Sequence, residues 1–189
     1  EIHERLVGSE MCIRDRIYTV DTLAASLGQG MITYYAAKKK EEGATIEEVR
    51  DFVESEKLHM CHWFTVDDLN YLKRGGRISA ATAAIGTMLS IKPVMHMDNE
   101  GHLVAVGKAR GRKAALKALA DSMESTMLPG RNETIFISHG DSLEDAEYLA
   151  NLVRERTGVQ DIVINYVGPV IGAHSGPGTI ALFFWGSER

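Results

Sequence analysis

The sequence predicts a layered α/β fold. Apolar, strand-like segments alternate along most of the 189 residues with helix-like segments of about ten to fifteen residues, and this alternation is typical of a sheet covered by helices. Hydrophobic residues make up 44% of the chain and charged residues 25%, which are the proportions of a folded globular protein. We find no internal repeat and no low-complexity linker, so this alternation is the main guide to the architecture.

Composition and charge argue against several classes of protein. The formal net charge of −5 does not suit a general nucleic-acid-binding protein, which needs a broad excess of Lys and Arg. The two cysteines, Cys12 and Cys61, are too few for a disulfide framework, and no histidine pairs with Cys, Asp or Glu at metal-ligand spacing. No apolar run reaches the roughly 18 residues of a membrane-spanning helix. We expect a cytoplasmic protein with no metal, no cofactor and no integral membrane segment.

The first sixteen residues differ from the rest of the chain. Residues 1–16, EIHERLVGSEMCIRDR, show no helix or strand period that extends into the sequence that follows. The string GSEMCIRDR resembles a translated sequencing adapter, and such segments are excluded from fold reasoning. The alternative is an ordinary N-terminal helix. We expect residues 1–16 to be non-native and the remainder to be the C-terminal part of a longer protein.

The next fifty residues predict two strands and two helices. Thr45 and Glu48 have the spacing of a capping box, which marks the start of a helix, and Gly43 is expected to end the helix before it. The predicted elements are a strand at 17–22 (IYTVDT), a helix at 28–44, a helix at 45–57 and a strand at 60–66 (MCHWFTV).

The remaining residues continue the alternation. A short helix at 67–76 has acidic residues at its start and basic residues at its end, as the helix dipole favours. Small and apolar residues at 80–95 lead into a strand, and the turn DNEG joins it to a strand that we expect to pair with it. The later elements are strands at 102–109, 133–139, 161–168 and 179–186, and helices at 113–127 and 142–157.

Three glycine-rich loops carry the candidate functional residues. VDTLAASLGQG places Asp21, Thr22 and Ser26 beside flexible backbone, and KRGGRIS contains Arg77. GPVIGAHSGPG holds His174 and Ser175 in a predicted loop before the last strand, and ligands gather where strands and loops meet in open α/β sheets. The alternatives are glycines needed only for backbone geometry and, for Arg77, a solvated charge at a helix end.

The chemistry of these loops favours binding over nucleophilic catalysis. Ser175 follows His174 directly, and adjacent residues in an extended segment point to opposite sides, so the two do not form a catalytic pair. The chain also has no G-x-S-x-G elbow. An imidazole and hydroxyls beside the apolar residues 82–95 suggest a site for an amphiphilic ligand, with a polar head and an apolar tail. The alternative is that this apolar stretch belongs to the core.

Four motifs in order resemble the DegV family of bacterial fatty-acid-binding proteins. They are LNYLKRGGRIS, LSIKPVM, GKARGRKAAL and VGPVIGAHSGPGTIALFF, and the resemblance extends from residue 17 to the end of the chain. It implies two α/β domains with a lipid between them, and for some members a role as the binding subunit of fatty acid kinase. The family's Ser-Gly-Thr motif is missing here. We therefore expect a DegV-like, two-domain architecture that lacks the N-terminal part of its first domain.

The resemblance also assigns the head group of the ligand to particular residues. His174 matches the family's carboxylate-binding histidine in GAHSGPG, and Ser175 lies beside it. Thr22 stands where the family usually has a serine that also contacts the carboxylate, and its hydroxyl can donate the same hydrogen bond.

Further residues are assigned to the pocket and to a partner. Arg77 matches the arginine of GGRIS near the domain junction, and Ile91 is expected in the pocket or at that junction. Arg110 matches an exposed basic position after GKA that is expected to dock the kinase.

These assignments give a domain division and a function. Residues 17–66 are expected to be the remnant of the first domain and residues 67–189 the second α/β region. The function predicted is to bind a long-chain fatty acid and present its carboxylate to a separate kinase subunit, which forms the acyl phosphate. The alternatives are a transferase or hydrolase with His174 as general base, and a binding module for another small anion.

Overall fold

Helices cover a mixed six-stranded sheet in this computed structural model, which describes residues 17–79, 90–187 and 189. The helices of the described residues are α1 (Leu27–Glu41), α2 (Ile46–Glu56), α3 (Leu69–Arg74), α4 (Arg112–Thr126), α5 (Leu143–Thr157) and α6 (Pro169–Ser175). The strands are β1 (Met60–Thr65), β2 (Ile91–Met97), β3 (Leu103–Arg110), β4 (Thr134–His139), β5 (Asp161–Tyr166) and β6 (Ile180–Trp185). The predicted α/β class is confirmed.

The order of the strands places the C-terminal strand in the middle of the sheet. The order is β3-β2-β1-β6-β4-β5. Among the described strands, β4 and β5 pair in parallel, with α5 as the crossover between them, and the other neighbours are antiparallel. β6 has a neighbour on each side and is buried along its whole length, as its unbroken apolar run Ile180–Trp185 requires.

Two apolar cores lie on opposite faces of the sheet. Side chains alternate between the two faces of a strand, so Ile180 and Leu182 pack on the face of α4 and α5, whereas Ala181 and Phe183 pack on the face of α1, α2 and α3. We call the second cluster the α1-side core. The α1-side core matters for function because the candidate site lies at its edge.

The capping box predicted for α2 is confirmed. The Thr45 hydroxyl accepts a hydrogen bond from the Glu48 backbone N–H at 3.3 Å, and the Glu48 carboxylate accepts one from the Thr45 backbone N–H at 2.7 Å. The same carboxylate also accepts a hydrogen bond from the Thr45 hydroxyl at 3.0 Å, and the hydrogen bonds from the backbone N–H and the hydroxyl of Thr45 lower the pKa of Glu48. The predicted hairpin is also confirmed, because Met97 pairs with Leu103 and Ile91 with Arg110.

The strand predicted at residues 17–22 is wrong. Residues 17–25 adopt no regular structure. The Asp21 carboxylate accepts a hydrogen bond from the Leu23 backbone N–H at 3.0 Å, and the Thr22 hydroxyl accepts one from that of Ala24 at 3.3 Å. Such local side-chain bonds compete with strand pairing. Leu23, with φ 50°, turns the chain before α1.

The loop predicted around His174 is also wrong, because this segment forms the short helix α6. Gly168 precedes the helix and Pro169 occupies its first turn, where a missing N–H costs nothing. Gly176, with φ 78°, ends it. His174 therefore lies in the last turn of a helix, which fixes its backbone more firmly than a loop would.

Several sequence predictions lie beyond the described residues or are not decided by them. Residues 1–16 and 80–89 lie outside the described part of the chain. β1, from the predicted remnant 17–66, lies between β2 and β6 of the same sheet, and the domain division at residue 66 stays a prediction. No helix within the described ranges is long and apolar enough to cross a membrane.

Candidate ligand-binding site

A cavity of about 230 Å³ lies at the edge of the α1-side core. It is bounded by the segment before α1, by α3 and the turn after it, by α6, and by one face of the sheet. The apolar residues that line it are Ala25, Phe64, Leu72, Met97, Leu103, Val167, Val170, Ile171, Ala181 and Phe183. Its polar lining is contributed by Ser26, His62, Arg77, Ser138, His174, Ser175 and Thr179. A few polar groups on an apolar wall are the usual design of a small-molecule site.

A second cavity adjoins the first near the start of α1. It measures about 440 Å³ and shares Ala25, Ser26 and Ile171 with the first cavity. Tyr166 and Gly168 line its other side. The two spaces together offer room for a ligand longer than the first cavity alone could hold.

Among the polar residues that line the first cavity, His174 is the one whose side chain forms no hydrogen bond with a described residue. Its side chain is half-buried and lines the first cavity. Within the part of the chain that the structure describes, no residue forms a hydrogen bond with the imidazole, whereas the neighbouring Ser175 hydroxyl donates to the Ile171 carbonyl at 2.9 Å. The imidazole is therefore available to hydrogen-bond a ligand.

Two serines that line the cavity form a polar pair between the sheet and the start of α1. The hydroxyls of Ser26 and Ser138 lie 3.1 Å apart, and Ser138 is fully buried on β4. Ser26 occupies the N-cap position of α1 with φ 54°, but its side chain caps no backbone N–H. Its hydroxyl is directed to Ser138 instead. The positive end of the α1 dipole thus lies beside two hydroxyls, an arrangement that favours an anion.

His62 has a different role from His174. Its Nδ1 donates to the Met60 carbonyl at 3.0 Å, and its Nε2 accepts from the Ala25 backbone N–H at 3.4 Å. Burial, together with the charge of Arg189, lowers the pKa of His62 to about 3. The ring is therefore neutral at physiological pH, with both nitrogens occupied by the protein, and it forms a wall of the cavity.

The structure brings together three of the residues proposed from the sequence. His174, Ser175 and Arg77 all line the first cavity, and Nη1 of Arg77 donates to the Gly75 carbonyl at 2.6 Å. Thr22 is not among the lining residues, and its hydroxyl accepts from the Ala24 backbone N–H. Its role as a carboxylate ligand stays a prediction.

Ile91 and Arg110 lie opposite each other on β2 and β3. They are register partners at the end of the β2–β3 hairpin, and neither is among the residues that line the first cavity. Arg110 is exposed, as a docking residue must be. The roles of both residues stay predictions.

Sequence reasoning missed three polar residues of the site and noted a fourth without assigning it. Ser26 was noted in the first loop, whereas His62, Ser138 and Thr179 were not associated with the site. Ser138 could have been found, because it is a hydroxyl near the carboxyl end of the apolar strand IFISH, where ligands of α/β sheets gather. His62 could not, because its place in the site depends on the order of the strands.

The turn between β2 and β3 brings three potential metal ligands together. Ligand atoms of Asp98, Glu100 and His102 lie within 4.8 Å of one another, although the sequence spacing had suggested no such group. The Asp98 carboxylate already accepts hydrogen bonds from the backbone N–H groups of Glu100 and His102, and these lower its pKa. The turn geometry accounts for the cluster without an ion.

Comparison with known proteins decides the family. The sequence model described as an uncharacterised protein of the DegV family matches residues 4–186. The chain belongs to the DegV family. The resemblance carried by the four motifs is therefore confirmed.

Relatives of known sequence and structure support this DegV assignment. A DegV domain-containing protein of Clostridium perfringens is 50% identical over 173 residues, which are 92% of this chain and 60% of that protein. A structure described as fatty acid binding of a DegV family protein from Thermus thermophilus is 33% identical, with a TM-score of 0.77 over 96% of this chain and 66% of that one. This DegV chain thus spans about three fifths of the Clostridium relative's length.

A more distant structure shares the fold. The Streptococcus pneumoniae Fatty Acid Kinase (Fak) B3 protein, loaded with linoleic acid, has a TM-score of 0.84 over 97% of this chain and 66% of that one. Its sequence identity is 19%, so the likeness concerns the fold alone. The mixed sheet and its helices are therefore those of DegV structures.

Proposed function

We propose that this chain binds a long-chain fatty acid, with the carboxylate at His174 and the acyl chain along the apolar wall of the cavity. The observation that carries the proposal is the imidazole of His174, which lines an apolar cavity and has no hydrogen-bond partner among the described residues. The Thermus thermophilus structure is 33% identical to this chain and is described as fatty acid binding of a DegV family protein. It supports the same class of ligand.

The polar groups around His174 suit a carboxylate. Arg77 adds a positive charge at the exposed side of the cavity, and the Ser26–Ser138 pair adds hydroxyls beside the start of α1. Hydrogen bonds to charged groups contribute about 1.5–3 kcal/mol each. Arg77 and the serine pair would orient the head group, whereas most of the affinity would come from the tail.

The apolar wall suits an alkyl tail. Each buried CH₂ group contributes about 0.8 kcal/mol, so a chain of more than ten carbons binds tightly even with few head-group contacts. The ring of Phe183 meets the His62 ring edge-on at 5.3 Å between centroids, and the low pKa of His62 keeps this wall uncharged. A neutral histidine in this wall is compatible with a hydrocarbon neighbour.

We further propose that the bound carboxylate is presented to a separate kinase subunit. Arg77 is exposed while it lines the cavity, so the proposed head site lies near the surface. Arg110 is exposed at the end of β3 and supplies a positive charge for a partner. The four motifs that resemble the DegV family support this role. The Streptococcus pneumoniae Fak B3 structure is 19% identical to this chain and supports only the shared fold.

The carboxylate assignment is tested by titrating delipidated protein with palmitate in a calorimeter. We expect His174→Ala to weaken binding roughly 10- to 100-fold, because it removes one hydrogen bond to a charged group. His102→Ala is the matched control, since His102 lies exposed in the β2–β3 turn and outside the cavity. Unchanged affinity in a folded His174→Ala variant would contradict the assignment.

The same titration separates the fatty-acid proposal from the small-anion alternative. Palmitate should bind far more tightly than acetate, because only palmitate buries a long alkyl chain. Equal binding of the two would show that the site recognises the anion alone. Consumption of a small carboxylated or phosphorylated substrate by the protein alone would favour the enzyme alternative.

A further inference from the structure

Gly75 is a glycine whose backbone does not require glycine. It follows α3 and has φ −74° and ψ −4°, an ordinary right-handed helical conformation that every residue type adopts. Its neighbour Gly76, with φ 71°, has the left-handed conformation that favours glycine. The absence of a side chain at Gly75 therefore needs another reason, and the surrounding atoms supply it.

The space beside Gly75 is filled by the imidazole of His174. A Cβ atom at position 75 would overlap Nδ1 and would lie 3.1 Å from both Cγ and Cε1 of that ring. The three nearest heavy atoms all belong to His174, so the ring is the first group that a side chain here would meet. An alanine here would displace the ring, because its Cβ and Nδ1 of His174 cannot occupy the same space.

The same glycine also contacts the arginine of the site. Its carbonyl accepts the hydrogen bond from Nη1 of Arg77 at 2.6 Å. Gly75 thus touches two polar residues that line the cavity, the imidazole through its Cα side and the guanidinium through its carbonyl. α3 and α6 also meet tightly at a second place, where a Cβ at Gly176 would be 2.7 Å from Cγ of Tyr71.

We infer that Gly75 is a positioning residue for the ligand site, which sets the place of the His174 imidazole by leaving room for it. The inference rests on the proposed function, since the imidazole is the proposed ligand of the carboxylate. The ring edge with Nδ1 lies against Gly75, and Nε2 is not among the atoms nearest to it. Nε2 is therefore the nitrogen assigned to the carboxylate.

A double-mutant cycle tests whether Gly75 acts through His174. Palmitate affinity is measured for the wild type, Gly75→Ala, His174→Ala and the double variant. We expect Gly75→Ala to weaken binding about tenfold when His174 is present and by less than about twofold when it is replaced, because the steric partner is then absent. Equal losses in both backgrounds, or no loss in either, would overturn the inference.

A second measurement needs no ligand and so separates this inference from the proposed function. The imidazole resonances of His174 are recorded by NMR in the ligand-free protein, with Gly107→Ala as the matched control, because a Cβ at Gly107 would meet Val94 at an ordinary 3.6 Å. We expect the His174 resonances to shift in Gly75→Ala and not in Gly107→Ala. If they stay unchanged in a folded Gly75→Ala variant, the inference is wrong. If the wild type does not bind palmitate, the proposed function is wrong. The His174 resonances then still test whether Gly75 positions the imidazole.

Discussion

Two histidines line the same cavity but differ in burial and in hydrogen bonding. His62 is buried, and both its ring nitrogens are engaged by backbone groups of Met60 and Ala25. His174 is half-buried, and no described residue hydrogen-bonds to its ring. A histidine with both nitrogens satisfied serves the fold, whereas one without protein partners is available to a ligand. Hydrogen bonding, rather than residue type, distinguishes the two roles.

The depressed pKa of His62 predicts how stability depends on pH. The pKa is about 3 in the folded protein and about 6.5 in an unfolded chain. As pH falls from about 6.5 towards 3, the imidazole becomes protonated in the unfolded chain but stays neutral in the folded protein. The free energy of unfolding therefore decreases by up to about 1.4 kcal/mol per pH unit. Above pH 6.5 this contribution is constant.

Urea titrations between pH 7 and pH 4 check this expectation. His62→Asn should show a shallower decrease of the free energy of unfolding than the wild type, because Asn cannot take up a proton in the unfolded chain. His102→Asn is the control for an exposed histidine that lies outside the cavity. Identical slopes for the wild type and His62→Asn would show that His62 does not cause the dependence.

Among the helices, α2 shows how a local signal alone fixes where an element begins. Its first turn is closed by reciprocal hydrogen bonds between Thr45 and Glu48, and Val53 is its only buried residue. With little burial to stabilise it, α2 depends strongly on its cap.

Thr45→Ala should therefore lower the free energy of unfolding by about 1 kcal/mol, the usual cost of losing an N-cap hydroxyl. Thr33→Ala in α1 is the control, because the exposed Thr33 hydroxyl only bonds back to the Gln29 carbonyl and its loss should change stability by less than about 0.5 kcal/mol. Urea unfolding measures both. Equal effects of the two substitutions would mean that the cap contributes nothing specific to α2.

The sequence predicted elements that depend on neighbouring residues and missed those that depend on tertiary packing. The α2 cap and the β2–β3 hairpin follow from residues a few positions apart, and both were predicted. The strand at 17–22 was wrong because alternation ignored the local bonds of Asp21 and Thr22. Helix α6 was missed because the three glycines of GPVIGAHSG suggest a loop, whereas its packing against α3 comes from tertiary structure.

The candidate site shows the same limit. His174 and Arg77 were assigned from motifs that resemble a family, and both line the cavity. Ser26 and Ser138, whose hydroxyls are in contact, are 112 positions apart in the sequence. The contact between Gly75 and His174 depends on how α3 packs on α6. No pattern along the chain contains these distances, so only the folded structure brings these residues together.

At the scale of the whole molecule, the proposed docking residue lies on an edge strand and outside the set of residues that line the cavity. The cavity is lined by residues of central strands β1, β6 and β4, as well as of β2 and β3, whereas Arg110 ends the edge strand β3 and does not line it. Binding of the ligand and docking of a partner should therefore be separable by mutation.

Arg110→Glu should leave palmitate affinity unchanged within about twofold and should weaken transfer to a kinase about tenfold, because an exposed charge at an interface mainly affects encounter with the partner. The two readouts are calorimetric titration with palmitate and acyl-phosphate formation after addition of ATP and the ATP-using subunit of a bacterial fatty acid kinase. Lys40→Glu is the control for the change in net charge, because Lys40 is exposed near the end of α1. Loss of palmitate binding would place Arg110 in the ligand site, and equal loss of transfer in both variants would show that net charge, rather than this position, governs docking.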